Sequence, residues 1–263
     1  ITVSVKVHIT EIDRRSAGVP QVMVLRIDGG RKVEQIAALL EEPVFVGRNR
    51  EFTVWNGKLA GETVTVCSTG IGGPSAAIAA EELVDCGAEV LIRVGTCGGI
   101  ATAVASGDLV VATGAVRQDG TSHEYAPPEY PAVPDFGVTA ALRKAALRVA
   151  ADAGNRNAVH LGVVQSKDSF YGQHSPARMP VSGDLEAKWE AWKRLGVLAS
   201  EMEASTLFTV GAARGVRTGA VFHVIWNQER AKAGMDTDAE ESHDTESAVR
   251  TAVEAIRLLI SVD

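Results

Sequence analysis

An arginine set inside an apolar run is the first residue here whose placement suggests chemistry. Arg93 sits in Glu89-Val90-Leu91-Ile92-Arg93-Val94, directly ahead of Gly95-Thr96-Cys97-Gly98-Gly99. A short β-branched run reads as a buried strand, and burying a guanidinium without a partner is expensive. Arg93 therefore faces something anionic near the strand's end. One candidate is a ligand held with Thr96 and the free N–H groups of a glycine turn. The other is a core carboxylate beside an ordinary tight turn, and the residues alone leave both open. Glu201-Met202-Glu203 opens a helical pattern. Its carboxylates either sit favourably against the helix dipole or accept hydrogen bonds from a polyol. Phe170 and Tyr171 offer a flat apolar wall, and Gln173 carries donor and acceptor on one amide, which suits the edge of a base. The basic glycine turn Asp28-Gly29-Gly30-Arg31-Lys32 has the form of a phosphate loop, a form shared with many plain strand-to-helix turns.

The elements that must hold these residues alternate in type. The patterns predict strands over 21–27, 52–58, 62–68, 89–94, 108–116, 160–166 and 218–226. They predict helices over 33–40, 75–86, 136–153, 185–195, 201–214 and 245–260, with Pro74 suited to a helix start. Residues 1–8 read as a short strand or arm in which His8 is solvated. The stretch 118–135 reads as a surface loop, 231–243 as a polar mobile segment, and 167–184 as irregular. A long loop inside a compact domain is more often functional than decorative. Strands alternating with helices imply an α/β fold with one mostly parallel or mixed sheet covered on both faces, and a single domain over 1–263 is expected.

Composition narrows the function classes. Of 263 residues, 46% are apolar and 22% charged, the balance of a soluble globular protein. A net charge of −7 and a pI of about 5.5 exclude a broad electrostatic footprint for nucleic acid, although a local positive pocket is allowed. Cys67, Cys86 and Cys97 are odd in number and match no metal-ligand spacing, which points to a reducing compartment without a disulfide frame. No leader pattern and no run of ~18 apolar residues occurs, so a cytoplasmic chain without a membrane span is expected.

The separate motifs occur in one order: Arg50-Glu51-Phe52-Thr53, Ser68-Thr69-Gly70-Ile71-Gly72-Gly73-Pro74-Ser75, Arg93-Val94-Gly95-Thr96, Pro131-Ala132-Val133-Pro134-Asp135-Phe136, Asp168-Ser169-Phe170-Tyr171-Gly172-Gln173 and Glu201-Met202-Glu203. With them the chain resembles the nucleoside phosphorylase-I family, and within it the bacterial uridine phosphorylases, from His8 to the final helix. The resemblance implies a distorted central sheet in a single α/β domain and a homohexamer built as a trimer of dimers. It implies reversible cleavage of a nucleoside's N-glycosidic bond by inorganic phosphate, giving a base and ribose 1-phosphate without an organic cofactor. On that resemblance Arg93, Gly95, Thr96, Arg31 and Lys32 bind phosphate, and Arg50 reaches in from a neighbouring subunit. Glu203 holds the ribose hydroxyls beside Glu201, Met202 packs on the sugar, and Thr96 borders it. His8 is lent across the dimer to the 5′-hydroxyl, Phe170 stacks on the base, and Gln173 reads its edge with Gln228 nearby. Arg93, Glu203 and His8 form the implied catalytic set. A monovalent cation, K+, is implied between dimer partners near Glu51, Ile71 and Ser75.

Three departures from that pattern bear on function. Where uridine phosphorylases carry Gly-Asp-Pro-x-Arg, this chain has Ile27-Asp28-Gly29-Gly30-Arg31-Lys32. Aligned without a gap, Asp28 replaces the glycine and Lys32 the arginine; with one inserted residue, Asp28 and Arg31 stay in register. The family's uracil site follows its Gln by one residue and then an Arg, whereas Gln173 is followed by His174 and Ser175, with Arg178 three residues further on. A second base-side arginine is replaced by Gln228. Losing both predicts weak discrimination for uracil and an altered base pocket. The leading expectation is a phosphorylase acting on a pyrimidine nucleoside. The alternatives are a nucleosidase that uses water, suggested by Asp28, and a non-catalytic nucleoside-binding relative, suggested by the missing arginines.

Overall fold

Alternating strand and helix patterns become one mixed sheet with helices on both faces in the computed structural model of the chain. Residues 21–26, 31–152, 154, 159–235 and 241–261 are described, with backbone alone at 21–26, 31 and 32. The chain opens with β1 (Gln21–Arg26), α1 (Arg31–Ala37), β2 (Glu41–Asn49), β3 (Phe52–Leu59) and β4 (Glu62–Ser68). Next come α2 (Gly73–Asp85), β5 (Ala88–Gly99), β6 (Leu109–Gln118), α3 (Thr121–Tyr125), α4 (Phe136–Asp152) and β7 (Val159–Lys167). The remainder is α5 (Phe170–His174), α6 (Ser182–Arg194), β8 (Ala199–Glu201), α7 (Ala204–Arg214), β9 (Arg217–Asn227), α8 (Gln228–Lys232) and α9 (Glu246–Ile260).

The sheet runs β2-β3-β4-β1-β5-β8-β7-β6-β9, and β9 then returns to pair with β5. Five strands therefore close into a small barrel, and β1, β4, β3 and β2 extend from it as an open wing. The strand β5 makes this possible because it is 12 residues long. Its length pairs in parallel with β9, its first part also pairs with β1, and its end, Gly98 and Gly99, meets Ser200 and Ala199 of β8. At Gly99 an added Cβ would lie 2.4 Å from Asn227 Nδ2, so only glycine lets the two strands approach this closely.

Each face of the sheet has its own core. Val90, Ile92 and Val94 of β5 pack with α1, α4 and α9, while Leu91 and Cys97 pack with α2 and α7. Side chains alternate across a strand, so Arg93 faces the α2 and α7 side, where it meets the buried Phe222 ring at 5.0 Å.

Several sequence expectations are corrected. The glycine run after Arg93 is not a turn but the second half of β5. Glu201 ends a strand rather than opening a helix, and Glu203 is the N-cap of α7. The strands β2 and β8 had no counterpart among the expected elements. Pro43 and an exposed apolar face mark β2 as an edge strand, and three residues of β8 are too few to show a period. The stretch 118–135 holds α3 and a bridge from Ala115 to Ala132. The irregular 167–184 holds α5, a 3₁₀ turn at Pro176–Arg178 and the start of α6. In 231–243, the first residues complete α8 and 236–240 lie outside the described residues, as do 1–8 with His8 and residues 27–30 with Asp28.

Arg117 organises the loop around α3. Its guanidinium donates to Ser122 Oγ and to the carbonyls of Ser122, Ala126, Pro127 and Tyr130. Beside it, buried Asp119 accepts from the N–H and Oγ of Ser122, from Ser205 Oγ, and from Thr206 Oγ1 at 2.8 Å. Burial works against this carboxylate, but the hydrogen bonds from Ser205, Ser122 and Thr206 outweigh it and hold its pKa below the usual value. The first turn of α7 is thereby fixed to the loop. An Asp119→Asn variant is expected to lose about 1.5–3 kcal/mol in urea unfolding at pH 7. A lowered native pKa contributes stability above the unfolded value of ~3.9 and loses it as pH falls. The difference from the wild type is therefore expected to shrink below about pH 4.

Candidate active site

Arg93 lies between two acids. Its Nε donates to Glu201 Oε2 at 3.0 Å and its Nη2 to Glu203 Oε2 at 2.6 Å, with all three side chains buried. Its Nη1 is buried and has no hydrogen-bond partner among the described residues. The guanidinium folds back over its own strand, where a Cβ on Gly95 would lie 3.0 Å from Cζ, Nη1 and Nη2. Glycine at position 95 is therefore a space requirement of the arginine. Of the two readings left open by the sequence, the structure shows the core carboxylates, Glu201 and Glu203, as the partners of Arg93. Two nitrogens hold core carboxylates, and the third is a donor without a partner among the described residues.

Each carboxylate is also anchored to a helix N-terminus. Glu201 accepts the N–H groups of Glu203 and Ala204 at the start of α7, and Ser166 Oγ donates to its Oε1. Ser166 Oγ in turn accepts from Ser205 N at 2.9 Å. Glu203 Oε1 accepts from Gly72 N at 2.5 Å, at the start of α2. Helix N-termini favour negative charge, so the chain brings two such ends to one arginine. Burial raises the Glu203 pKa, and the charge of Arg93 pulls it back. A carboxylate has about four lone-pair sites, so Glu203 keeps accepting capacity for hydroxyl groups.

These residues line a cavity of about 430 Å³ that also gathers Thr96, Phe170 and Met202 from the expected set. Lys167, His174 and Ser200, which were not anticipated, line it too, as does Trp226. Lys167 closes an apolar strand and could be read from sequence only as a solvated strand end, yet it is 6% exposed. Its Nζ donates to Ser200 Oγ at 2.5 Å and lies 6.0 Å from the centre of the Phe170 ring. Burial lowers its pKa to about 8, against the pull of Glu201 and Glu203. Phe170 is half exposed and packs against the His174 ring at 4.3 Å. Trp226 Nε1 is buried without a partner among the described residues, whereas His223 is a core residue bonded to Ser242.

A second cavity of about 590 Å³ shares Lys167 and His174 with the first and contains Gln173 and Gln228. Gln173 Oε1 accepts from Ser200 Oγ at 2.7 Å, which ties it to the Arg93 side. Arg178 does not stand in for the missing arginines. It stacks on the Tyr171 ring at 4.5 Å and lines neither cavity. Arg50 is exposed in the turn between β2 and β3, away from both linings. Ser75 Oγ donates to Glu51 Oε1 and to the Thr69 carbonyl, and exposed Ile71 stands at the cavity mouth. Arg31 and Lys32 begin α1, where the backbone alone is described, and His8 lies outside the described residues. Among the described residues no cluster of His, Cys, Asp and Glu is arranged to hold a metal ion, and no helix is long and apolar enough to cross a membrane.

Comparison with known proteins agrees with this geometry. The sequence profile of the phosphorylase superfamily matches residues 22–261. A uridine phosphorylase of Treponema pallidum (strain Nichols) is 51% identical over 252 residues, covering 96% of this chain and 94% of the relative. That of Escherichia coli (strain K12) is 43% identical over 87% of this chain and 88% of its own length. A guanosine phosphorylase of Halorubrum lacusprofundi is 36% identical over 92% of this chain and 95% of its own. The space beside Gly95 yields a test of the leftover donor. A Gly95→Ala variant is expected to fold normally by circular dichroism yet bind inorganic phosphate at least about tenfold more weakly in calorimetry, because the Cβ displaces the guanidinium.

Proposed function

The chain belongs to the phosphorylase superfamily, and on that premise we propose that it is a phosphate-dependent phosphorylase of pyrimidine nucleosides. The observation that carries this reading is the buried, unpartnered Nη1 of Arg93 beside Thr96 and Glu203. A cation whose other nitrogens hold carboxylates supplies a fixed donor for hydrogen phosphate. In the proposed site Gly95 and Thr96 complete the near side of the phosphate, Arg31 and Lys32 approach from the start of α1, and Arg50 of the partner subunit closes it. Glu203 holds the ribose hydroxyls with Glu201 behind it, Met202 packs on the sugar, and the partner subunit's His8 meets the 5′-hydroxyl. Phe170 stacks on the base, and Gln173 and Gln228 border its edge.

The reaction is then substitution at the anomeric carbon. The C1′–N bond breaks with its electron pair passing to the base, positive charge develops on the sugar ring, and a phosphate oxygen bonds to C1′. The hydrogen of the hydrogen phosphate ends on the base, leaving ribose 1-phosphate. No covalent enzyme intermediate is needed, so the protein's part is positional and electrostatic. Glu203 faces the developing cation, and phosphate held by Arg93 is placed to bond with it. A hydrolase would have no use for the free Arg93 donor, and the relatives named above are phosphorylases. We extend the proposal to a homohexamer built from dimers that share this site, with K+ beside Glu51, Ile71 and Ser75 at the dimer contact. The same proposal takes the protein as a cytoplasmic enzyme of pyrimidine salvage, built as one domain over 1–263.

Base release from uridine, thymidine, cytidine, inosine, guanosine and adenosine, with and without phosphate, tests this reading. Phosphate-dependent release of uracil with ribose 1-phosphate as co-product is expected. Equal rates in phosphate-free buffer with free ribose as product contradict it, as does binding of nucleosides without turnover.

A further inference from the structure

The buried ammonium of Lys167 has an unusual environment. Lysine is almost never fully buried unless its charge is paired. Among the described residues, no carboxylate lies within 4.0 Å of its Nζ, and its one hydrogen-bond partner is the hydroxyl of Ser200. An ammonium donates only, so the Ser200 oxygen must accept from it and pass its own hydrogen onward. That hydrogen goes to Gln173 Oε1, which turns the amide so that its NH₂ is the group still free. The chain Lys167–Ser200–Gln173 therefore leaves the remaining N–H groups of Lys167 as donors in the Phe170 cavity, while the amide of Gln173 faces the second cavity.

We propose that Lys167 is a specificity-determining and catalytic residue of this site, donating to a carbonyl oxygen of the base and taking up the negative charge that gathers there as the glycosidic bond breaks. This deepens the nucleoside phosphorylase reading and rests on it. A ring stacked on Phe170 brings its edge within reach of an Nζ that lies 6.0 Å from the Phe170 centroid. When the C1′–N bond breaks, its electron pair enters the base and delocalises onto the ring's keto oxygens. Lys167 holds that anion by hydrogen bonding until the hydrogen released from the phosphate protonates the base, and the lysine keeps its own proton throughout. We place the Lys167 donor at position 4 of the base, where it favours a carbonyl oxygen and disfavours an amino group, which would face another donor. Uracil and thymine fit, and cytosine does not. The same charge also meets what neither Arg178, parked on Tyr171, nor Gln228 supplies.

The alternative is that Lys167 merely balances Glu201 and Glu203, and three readouts separate the two roles. The first is leaving-group dependence. In Lys167→Met, kcat/KM for uridine is expected to fall roughly 100-fold or more, and for 5-fluorouridine, whose base anion is more stable, less than about tenfold. The second is base choice, where the preference for uridine over cytidine is expected to collapse. The third is the pH profile, which needs no loss of charge in the fold. Glu201, Glu203, Cys97 and His174 act on Lys167 electrostatically, Arg93 and Glu241 line its cavity, and Asp168, Glu186, Lys188, Glu190 and Lys232 line the second cavity that it borders. Burial pushes Cys97 far up and His174 down, and raises Glu203, whose ionisation produces a rising limb. With burial holding the pKa of Lys167 near about 8, a falling limb close to that pH is expected in the wild type. In Lys167→Arg it is expected to move upward while uridine turnover is partly retained. Equal losses on both nucleosides in Lys167→Met, or a falling limb unmoved in Lys167→Arg, overturn the role of Lys167 while the phosphorylase reading stands. Absence of phosphate-dependent turnover in the wild type overturns both.

Discussion

The structure depends on one buried charge balance, with a guanidinium held between two carboxylates that are each fixed to the N-terminus of a different helix. Burying an ion pair is not a reliable source of stability, because desolvation offsets the attraction. The arrangement here lowers that cost with further hydrogen bonds. The α7 amides and Ser166 satisfy Glu201, the first amide of α2 satisfies part of Glu203, and the Phe222 ring lies under Arg93. What remains is one unpaired guanidinium nitrogen and spare acceptor capacity on Glu203. Those remainders are what the proposed chemistry uses, as a donor for phosphate and an acceptor for sugar hydroxyls.

The barrel closure is what brings these groups together. The acids sit at the junction of β8 and α7, and Arg93 sits midway along β5. Only because the end of β5 bends to pair with β8, while its length pairs with β9, do they meet. Glycines at 95 and 99 are the local condition for this, one giving room to the guanidinium and the other to Asn227. The Asp119 network then holds the first turn of α7 from behind. Positioning is distributed over the fold, while the chemistry is confined to a few atoms.

Much of this was legible in the sequence. The strand and helix alternation gave the α/β class, and the apolar run around Arg93 showed a buried arginine needing an anion. The ordered motifs led to the right superfamily. Glycine was misread after Arg93 because its usual role as a breaker conceals its other use, which is to let backbones and side chains approach closely inside a sheet. Three residues of β8 carry no periodic signal, so Glu201 was assigned to a helix. Lys167 escaped notice for a different reason. Its burial is decided by α5 and β8 folding over it, and nothing local to His160–Lys167 distinguishes a buried terminal lysine from a solvated one. The missing base-side arginines were visible as absences, but the residue proposed to replace them lay outside the motifs.

The central claim is that Arg93 supplies a fixed donor to phosphate while holding both carboxylates, a task that needs the three-nitrogen fork and not charge alone. The most direct test is the turnover of an Arg93→Lys variant at saturating uridine and phosphate, with its fold checked by thermal melting. A single ammonium cannot serve Glu201, Glu203 and phosphate together, so kcat is expected to fall by about 10²–10³ with the protein still folded. A folded Arg93→Lys enzyme within about threefold of the wild type would contradict the account.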